Sequence, residues 1–312
     1  MSGIHHITAI AGDAARNHDF YTRVLGMRLV KKTVNFDDPG TYHLYFADET
    51  GSPGTVLTFF PWGHAPSGRN GVGQAQQTML RVPESAIGYW AHRLVEKGVP
   101  HEAIEKRFGQ SVLAFTDPDG LSLAFVGVPG AEAETAWAGG DVPVEHAVRG
   151  FHGIRLLLDE KAPTAAVLTK ALGFREAESE GPVSRFIADG SVAGSVVEIR
   201  EAKGFLPAHM GRGSVHHVAF RAADDQAQAD MRRKLVDELH IQVTEQIDRN
   251  YFRSMYFREP GGIIFEIATD APGFAIDEAQ SELGTELKLP AFLEKRRDEI
   301  EARLQPLTGV AA

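Results

Sequence analysis

The chain has 312 residues, with 32 Lys+Arg against 42 Asp+Glu for a formal net charge of −10, and it contains no cysteine. That length suggests two domains, and the acidic balance argues against a general binder of nucleic acid or anionic membranes. The missing thiol excludes disulfides, thiolate catalysis, iron–sulfur clusters and cysteine-bound zinc, so any metal has to sit on His, Asp, Glu or backbone ligands.

Residues 1–6 show no basic segment followed by an apolar run, so no signal peptide is expected. No apolar stretch approaches the roughly 18–20 residues of a membrane span, and a cytoplasmic location is the expectation. A first apolar strand runs over 6–13, opening on His6 and closing on Asp13. An amphipathic helix is predicted over 17–25, with Gly26 placed to accept the positive φ of a helix C-terminus. A β-rich run at 42–46 and the turn Ser52-Pro53-Gly54 follow. Gly54 leads a last strand that carries Thr58 four residues on.

The same order of signals returns three times, an internal repeat. The second unit opens at Gln77 and closes its strand at Glu84. Its helix is predicted over 85–97, where Ile87, Trp90, Leu94 and Val95 recur at helical spacing, and Gly98 ends it. The turn Asp117-Pro118-Asp119-Gly120 then leads to Ala124. The third unit opens on His152 and Asp159, predicts a helix over 163–172 before Gly173, and carries Glu198 after Gly194. The fourth opens on His217 and Asp224, predicts a helix over 226–239 with no closing glycine, and carries Glu266 after Gly262. The fold class is α+β, with four βαβββ modules at 3–63, 74–128, 150–201 and 213–269. Residues 129–149, rich in Ala, Gly and Glu, form the linker between halves 1–128 and 150–269. Residues 270–312 form a tail with a charged helix predicted over 289–304.

The first and last strands of a module place side chains on one sheet face, so two modules curled together offer up to four ligands. Modules one and four offer His6, His217 and Glu266, with Thr58 as a non-ligand. Two imidazoles and one carboxylate leave open positions and suit Fe(II) chemistry with O₂ and an organic substrate. Modules three and four would offer His152, Glu198, His217 and Glu266, a four-ligand set suited to a Lewis-acid role in an isomerase or lyase. Spacing alone leaves both pairings open. A Glu inside the apolar run Ile263-Ile264-Phe265-Glu266-Ile267 is costly to bury without a partner. Strand alternation sends adjacent side chains to opposite faces. One histidine of each doublet, His5-His6 and His216-His217, is therefore not a direct ligand unless the strand is irregular.

The stretches HHIT (5–8), YHLYFADETGSPGTVLTFFP (42–61), RFGQ (107–110), PVEHAVRGFHG (143–153), VHHVAF (215–220) and PGGIIFE (260–266) run from end to end. With them the chain resembles the vicinal oxygen chelate superfamily of glyoxalase I, bleomycin-resistance proteins and extradiol dioxygenases. It is most similar there to hydroquinone ring-cleaving dioxygenases and to the quinone-induced ring-cleaving dioxygenases of bacteria. The resemblance implies two domains of paired, curved mixed β-sheets with flanking helices. It implies His6, His217 and Glu266 as ligands of Fe(II); the same ligand set also accepts Mn(II). It further implies contacts to the ligands or the substrate at His5, Thr8, His216, Arg249 and Tyr256. The partners it implies are a small aromatic diol and O₂; the sequence leaves open whether the chain forms a homo-oligomer. The alternatives are the glyoxalase-type isomerase or lyase on modules three and four and a non-catalytic protein that binds a small aromatic.

Overall fold

The structure, a computed structural model, describes residues 2–307. Module one contains β1 Ile4–Ala11, α1 Ala14–Asp19, β2 Arg28–Asn35, β3 Asp38–Ala47 and β4 Val56–Pro61. Module two contains β5 Gln74–Pro83, α2 Ile87–Glu96, β6 Glu105–Arg107, β7 Gln110–Thr116 and β8 Ser122–Val128. Module three contains β9 Phe151–Leu158, α3 Ala162–Ala166, β10 Phe174–Glu180, β11 Val183–Ala188 and β12 Val196–Glu201. Module four contains β13 Ser214–Ala222, α4 Asp225–Arg233, β14 Ile247–Asp248, β15 Phe252–Arg258 and β16 Ile264–Pro272.

Local chemistry accounts for the helix ends. Asp13 and Asp224, the aspartates that close the first and fourth opening strands, are N-caps. Their side chains accept from Arg16 N and Ala227 N, satisfying amides that the first helical turn leaves free. Asp13 starts α1 at Ala14, three residues ahead of the predicted 17–25. The helices α1, α3 and α4 each run on into a π-helical turn, at Phe20–Val24, Val167–Ala171 and Lys234–Glu238. Gly26, Gly98 and Gly173 then take φ of +69°, +65° and +76°. His240 stands in the corresponding place of module four at φ +54°, a left-handed residue without glycine's freedom.

Among the described residues sixteen strands form two eight-stranded mixed sheets, and each sheet takes one module from each half of the chain. The first sheet has the order β14-β15-β16-β13-β1-β4-β3-β2 and joins modules four and one. The second has the order β10-β11-β12-β9-β5-β8-β7-β6 and joins modules three and two. At each centre the two opening strands pair antiparallel, β1 with β13 and β5 with β9, and each opening strand pairs parallel with its own module's last strand. A large apolar cluster containing Tyr21, Phe59, Trp90, Phe125 and Phe220 packs the sheets and helices together. A smaller one, containing Val30, Tyr45, Ala219, Tyr251, Phe252 and Phe274, lies beside the residues described next.

The tail is less helical than its charge pattern predicts. A short turn at Glu294–Arg296 leads into α5 Arg297–Glu301, and the rest of 289–304 is irregular. Pro290 lacks an N–H and limits helix there, while Leu289, Leu293 and Ile300 instead pack on Val34 of β2. The fully buried Lys31 of β2 pairs with Asp277 and Glu278, fixing the tail to module one. Among the described residues no helix is long and apolar enough to cross a membrane.

Candidate metal centre

Two β-bulges shape the centre. Along β1, Ile4 pairs with Phe220 and His6 with Ala219, so His5 is an extra residue. Along β13, His217 pairs with Thr8 and Val215 with Ala9, so His216 is the extra residue. A bulge breaks strict alternation and re-aims the extra side chain. Each extra imidazole therefore turns back on its neighbour. His5 Nδ1 lies 3.0 Å from His6 Nδ1, and His216 Nδ1 lies 2.8 Å from His217 Nδ1. In both pairs the rings stand nearly perpendicular, at 83° and 80°.

The Nε2 atoms of His6 and His217 point the other way, onto Glu266. His6 Nε2 is 3.4 Å and His217 Nε2 is 3.0 Å from Glu266 Oε2. The three candidate donor atoms lie within 4.8 Å of one another, and all three residues are buried. Glu266 Oε1 accepts a hydrogen bond from Ser254 Oγ at 2.5 Å. Oε2 has no partner in hydrogen-bond geometry, although its residue is fully buried. Burial drives the Glu266 carboxyl toward neutrality, but His6 and His217 overcome it and hold its pKa well below the ordinary value. Burial lowers the His217 pKa and, with His6 adjacent, takes His5 to about 3. A buried carboxylate oxygen without a hydrogen bond, flanked by two imidazole nitrogens, fits a divalent cation. Ligands about 2.1 Å from an ion and at right angles stand about 3 Å apart, the spacing seen between His217 and Glu266. Only one face of such an ion would be covered.

The other face opens on a cavity of about 330 Å³ with aromatic walls from Phe36, Phe60, Trp62 and Phe252. Of the predicted contact residues, His216, Arg249 and Tyr256 line it. Burial and the adjacent His217 lower the His216 pKa to about 3. Arg249 lies 5.6 Å over the Tyr256 ring and reaches Asp37 at 3.1 Å. Burial works against its charge, but hydrogen bonds to Tyr256 and Asp37 raise its pKa and keep it cationic. Burial and then Glu266 raise the Tyr256 pKa and keep its hydroxyl protonated. His5 and Thr8 do not line the cavity. His5 sits behind His6 against Phe252, and Thr8 accepts from Thr58 Oγ1 at 3.2 Å. Sequence reasoning did not single out His43, Asp37 or Ser254. His43 lies within 42–61, but no histidine recurs at its position in the other modules.

The second sheet repeats the geometry without the chemistry. The strand register puts Gln77 and Gly153 where the first sheet has His6 and His217, with Ala124 and Glu198 for Thr58 and Glu266. His152 is the bulge residue of β9 and matches His216, not His217. Its buried ring has no hydrogen-bond partner. A Cβ on Gly153 would lie 2.0 Å from Val196 O, so no ligating side chain fits there. Arg155 and Arg185 hold the Glu198 carboxylate from both sides, at 2.6 and 2.8 Å. The four-ligand alternative His152, Glu198, His217 and Glu266 is not assembled, because modules three and four lie in different sheets. Among the described residues His6, His217 and Glu266 form the one such group.

Comparison with known proteins adds to this geometry. Residues 3–125 match the model of the Glyoxalase/Bleomycin resistance protein/Dioxygenase superfamily. The chain is 47% identical over 97% of its length to the protein named "Putative ring-cleaving dioxygenase MhqO" of Bacillus subtilis, covering 96% of it. It is 32% identical over 96% of its length to a chlorohydroquinone/hydroquinone 1,2-dioxygenase of Sphingobium indicum, covering 95% of that protein. Its fold matches the crystal structure of a protein called a "putative dioxygenase" from Bacillus subtilis with a TM-score of 0.92 at 45% identity, over 97% of this chain and 96% of that one. Glyoxalase I of Zea mays shares the fold, with a TM-score of 0.64 at 15% identity over 86% of this chain and 93% of that one.

Proposed function

The chain belongs to the glyoxalase/bleomycin resistance protein/dioxygenase superfamily, and from that premise we propose that it is an Fe(II)-dependent ring-cleaving dioxygenase acting on a hydroquinone. The observation that carries this reading is the convergence of His6, His217 and Glu266 under an aromatic-walled cavity, with the fourth repeat position filled by a threonine. His6 and His217 through Nε2, and Glu266 through Oε2, would hold the ion. When bound, Fe(II) supplies a redox-active Lewis acid with open positions, the chemistry that couples an electron-rich ring to O₂; Mn(II) suits the same donors.

The chain's own groups supply the rest. With Nε2 of His6 and His217 given to the metal, their Nδ1 atoms carry the hydrogen, so His5 and His216 would accept at Nδ1 and hold the ligand rings in place. The Arg249 guanidinium places a fixed positive charge beside the cavity, where it favours a deprotonated diol oxygen. The protonated Tyr256 hydroxyl orients that oxygen as a hydrogen-bond donor. With Nδ1 engaged, the free edge of His216 is Nε2, a donor on the wall it shares with Trp62. The aromatic walls exclude water and stack the ring, which lowers the cost of orienting it.

The test is oxygen uptake by protein reconstituted anaerobically with Fe(II), then given hydroquinones and catechols in turn. One O₂ consumed per ring opened is the expected result, with loss of both metal and uptake in His6→Ala. Turnover of an aldehyde or thioester substrate without O₂ would instead identify an isomerase or lyase. Diol binding with no O₂ uptake would identify a binding protein.

A further inference from the structure

The internal repeat relates β3 to β15 and β4 to β16. Tyr45 pairs with Thr58 on one side of the centre as Tyr256 pairs with Glu266 on the other. Two residues earlier on each hairpin strand, His43 therefore corresponds to Ser254. Both do the same local job. Ser254 Oγ donates to Glu266 Oε1 at 2.5 Å, and His43 Nε2 meets Thr58 Oγ1 at 2.6 Å. A glutamate in the Thr58 position would extend two bonds further toward the ion. The threonine stops short, and the imidazole of His43 lines the cavity on that side, packed 4.3 Å from the Phe60 ring and 4.1 Å from the Tyr45 ring.

The hydrogen-bond directions fix the tautomer. Thr58 Oγ1 donates to Thr8 Oγ1, so it accepts from His43 Nε2–H. Nδ1 then accepts from the Tyr45 hydroxyl at 2.8 Å. Burial, followed by the neighbouring His6 and His217, keeps this ring neutral. An N–H donor of set direction thus stands at the corner that a fourth protein ligand would otherwise fill.

Building on the dioxygenase reading, we propose that His43 orients the substrate. Its Nε2–H, shared with Thr58, hydrogen-bonds an oxygen of the bound aromatic diol, and its ring forms the wall on which the diol packs. The threonine makes room for the diol, and the histidine reads it.

The experiment uses Co(II)-loaded protein under argon, titrated with hydroquinone and followed by the visible absorption of the ion. His43→Phe keeps a ring and removes the donor; His43→Gln keeps a donor. Co(II) affinity should stay within about threefold of wild type in both, because none of the three donors is touched. Hydroquinone affinity should fall by about tenfold or more in His43→Phe, the scale of one lost hydrogen bond, and recover to within about threefold in His43→Gln. Wild-type affinity for hydroquinone in His43→Phe overturns the proposal, as does parallel loss of Co(II) in both variants, which would make His43 part of the metal scaffold. A wild-type Co(II) protein that binds no hydroquinone overturns this proposal together with the reading it rests on.

Discussion

His5 and His6 are adjacent in sequence, yet their Nδ1 atoms face each other at 3.0 Å. Regular strand geometry would put them on opposite faces of the sheet. The bulge at His5 removes that separation, and the bulge at His216 does the same for His217. Two imidazoles are thereby each backed by a second one, and their Nε2 atoms are left for a cation. Replacing His5 by Phe keeps the packing on Phe252 and removes the acceptor. We expect metal affinity to fall about 10–100-fold, the usual cost of losing such a backing contact, measured by competition with a chelating dye. Unchanged affinity would show that the Nδ1 pairing has no bearing on the metal.

Metal binding should stabilise the fold. A ligand that binds only the native state at about 1,000 times its dissociation constant adds about 4 kcal/mol. The melting temperature of the wild type should rise on adding Fe(II) or Mn(II) anaerobically. Glu266→Gln removes the buried charge opposite His6 and His217, and its melting temperature should no longer respond to metal. A rise equal to that of the wild type would remove Glu266 from the ligand set.

The second centre should depend on charge balance instead of metal. Glu198 is buried between Arg155 and Arg185, and Glu198→Gln leaves two guanidiniums with no anion between them. Breaking a buried pair in this way costs about 3–5 kcal/mol. Burial opposes the Glu198 charge, but Arg155 and Arg185 hold its pKa below the ordinary value. Its contribution is therefore present above the unfolded-state pKa and is lost as pH falls through the lower folded one. Urea unfolding of wild type and variant should show a gap at neutral pH that narrows in acid, with metal affinity unaltered.

Asp117 should act in the opposite sense. Burial raises its pKa from about 3.8 to about 6, although Leu121 N and Tyr21 O–H donate to it. The folded state prefers the protonated form. Stability from this group is complete below about pH 4 and is lost as pH rises through about 6, a change of about 3 kcal/mol at 1.36 kcal/mol per unit. Asp117→Asn should flatten that part of the stability–pH curve. A variant curve parallel to wild type between pH 4 and 6 would contradict this assignment.

Gly153 marks why the second sheet carries no second ligand pair. Its position has no room for a Cβ beside Val196 O. Gly153→Ala should cost at least about 1–3 kcal/mol by overpacking, read as a lower urea midpoint. The corresponding Ala exchange at the exposed Gly181 lies at positive φ in open space and reports backbone strain alone.

Much of this protein is written locally in its sequence. The four modules and the left-handed exits at Gly26, Gly98 and Gly173 follow from side-chain periodicity and from which residues tolerate which backbone angles. The spacing also set His6, His217 and Glu266 in matching positions. The count of seven residues from histidine to aspartate misaligned His152, because Asp159 caps no helix and instead accepts from Gly204 N. Strand register then puts Gly153 in the ligand's place, a one-residue shift that spacing could not show. Which modules share a sheet, which residues bulge, and that arginines flank Glu198 while His43 flanks Thr58 were decided only in three dimensions. Those features depend on pairing between strands distant along the chain, and no local pattern of hydrophobicity or turn residues encodes that pairing.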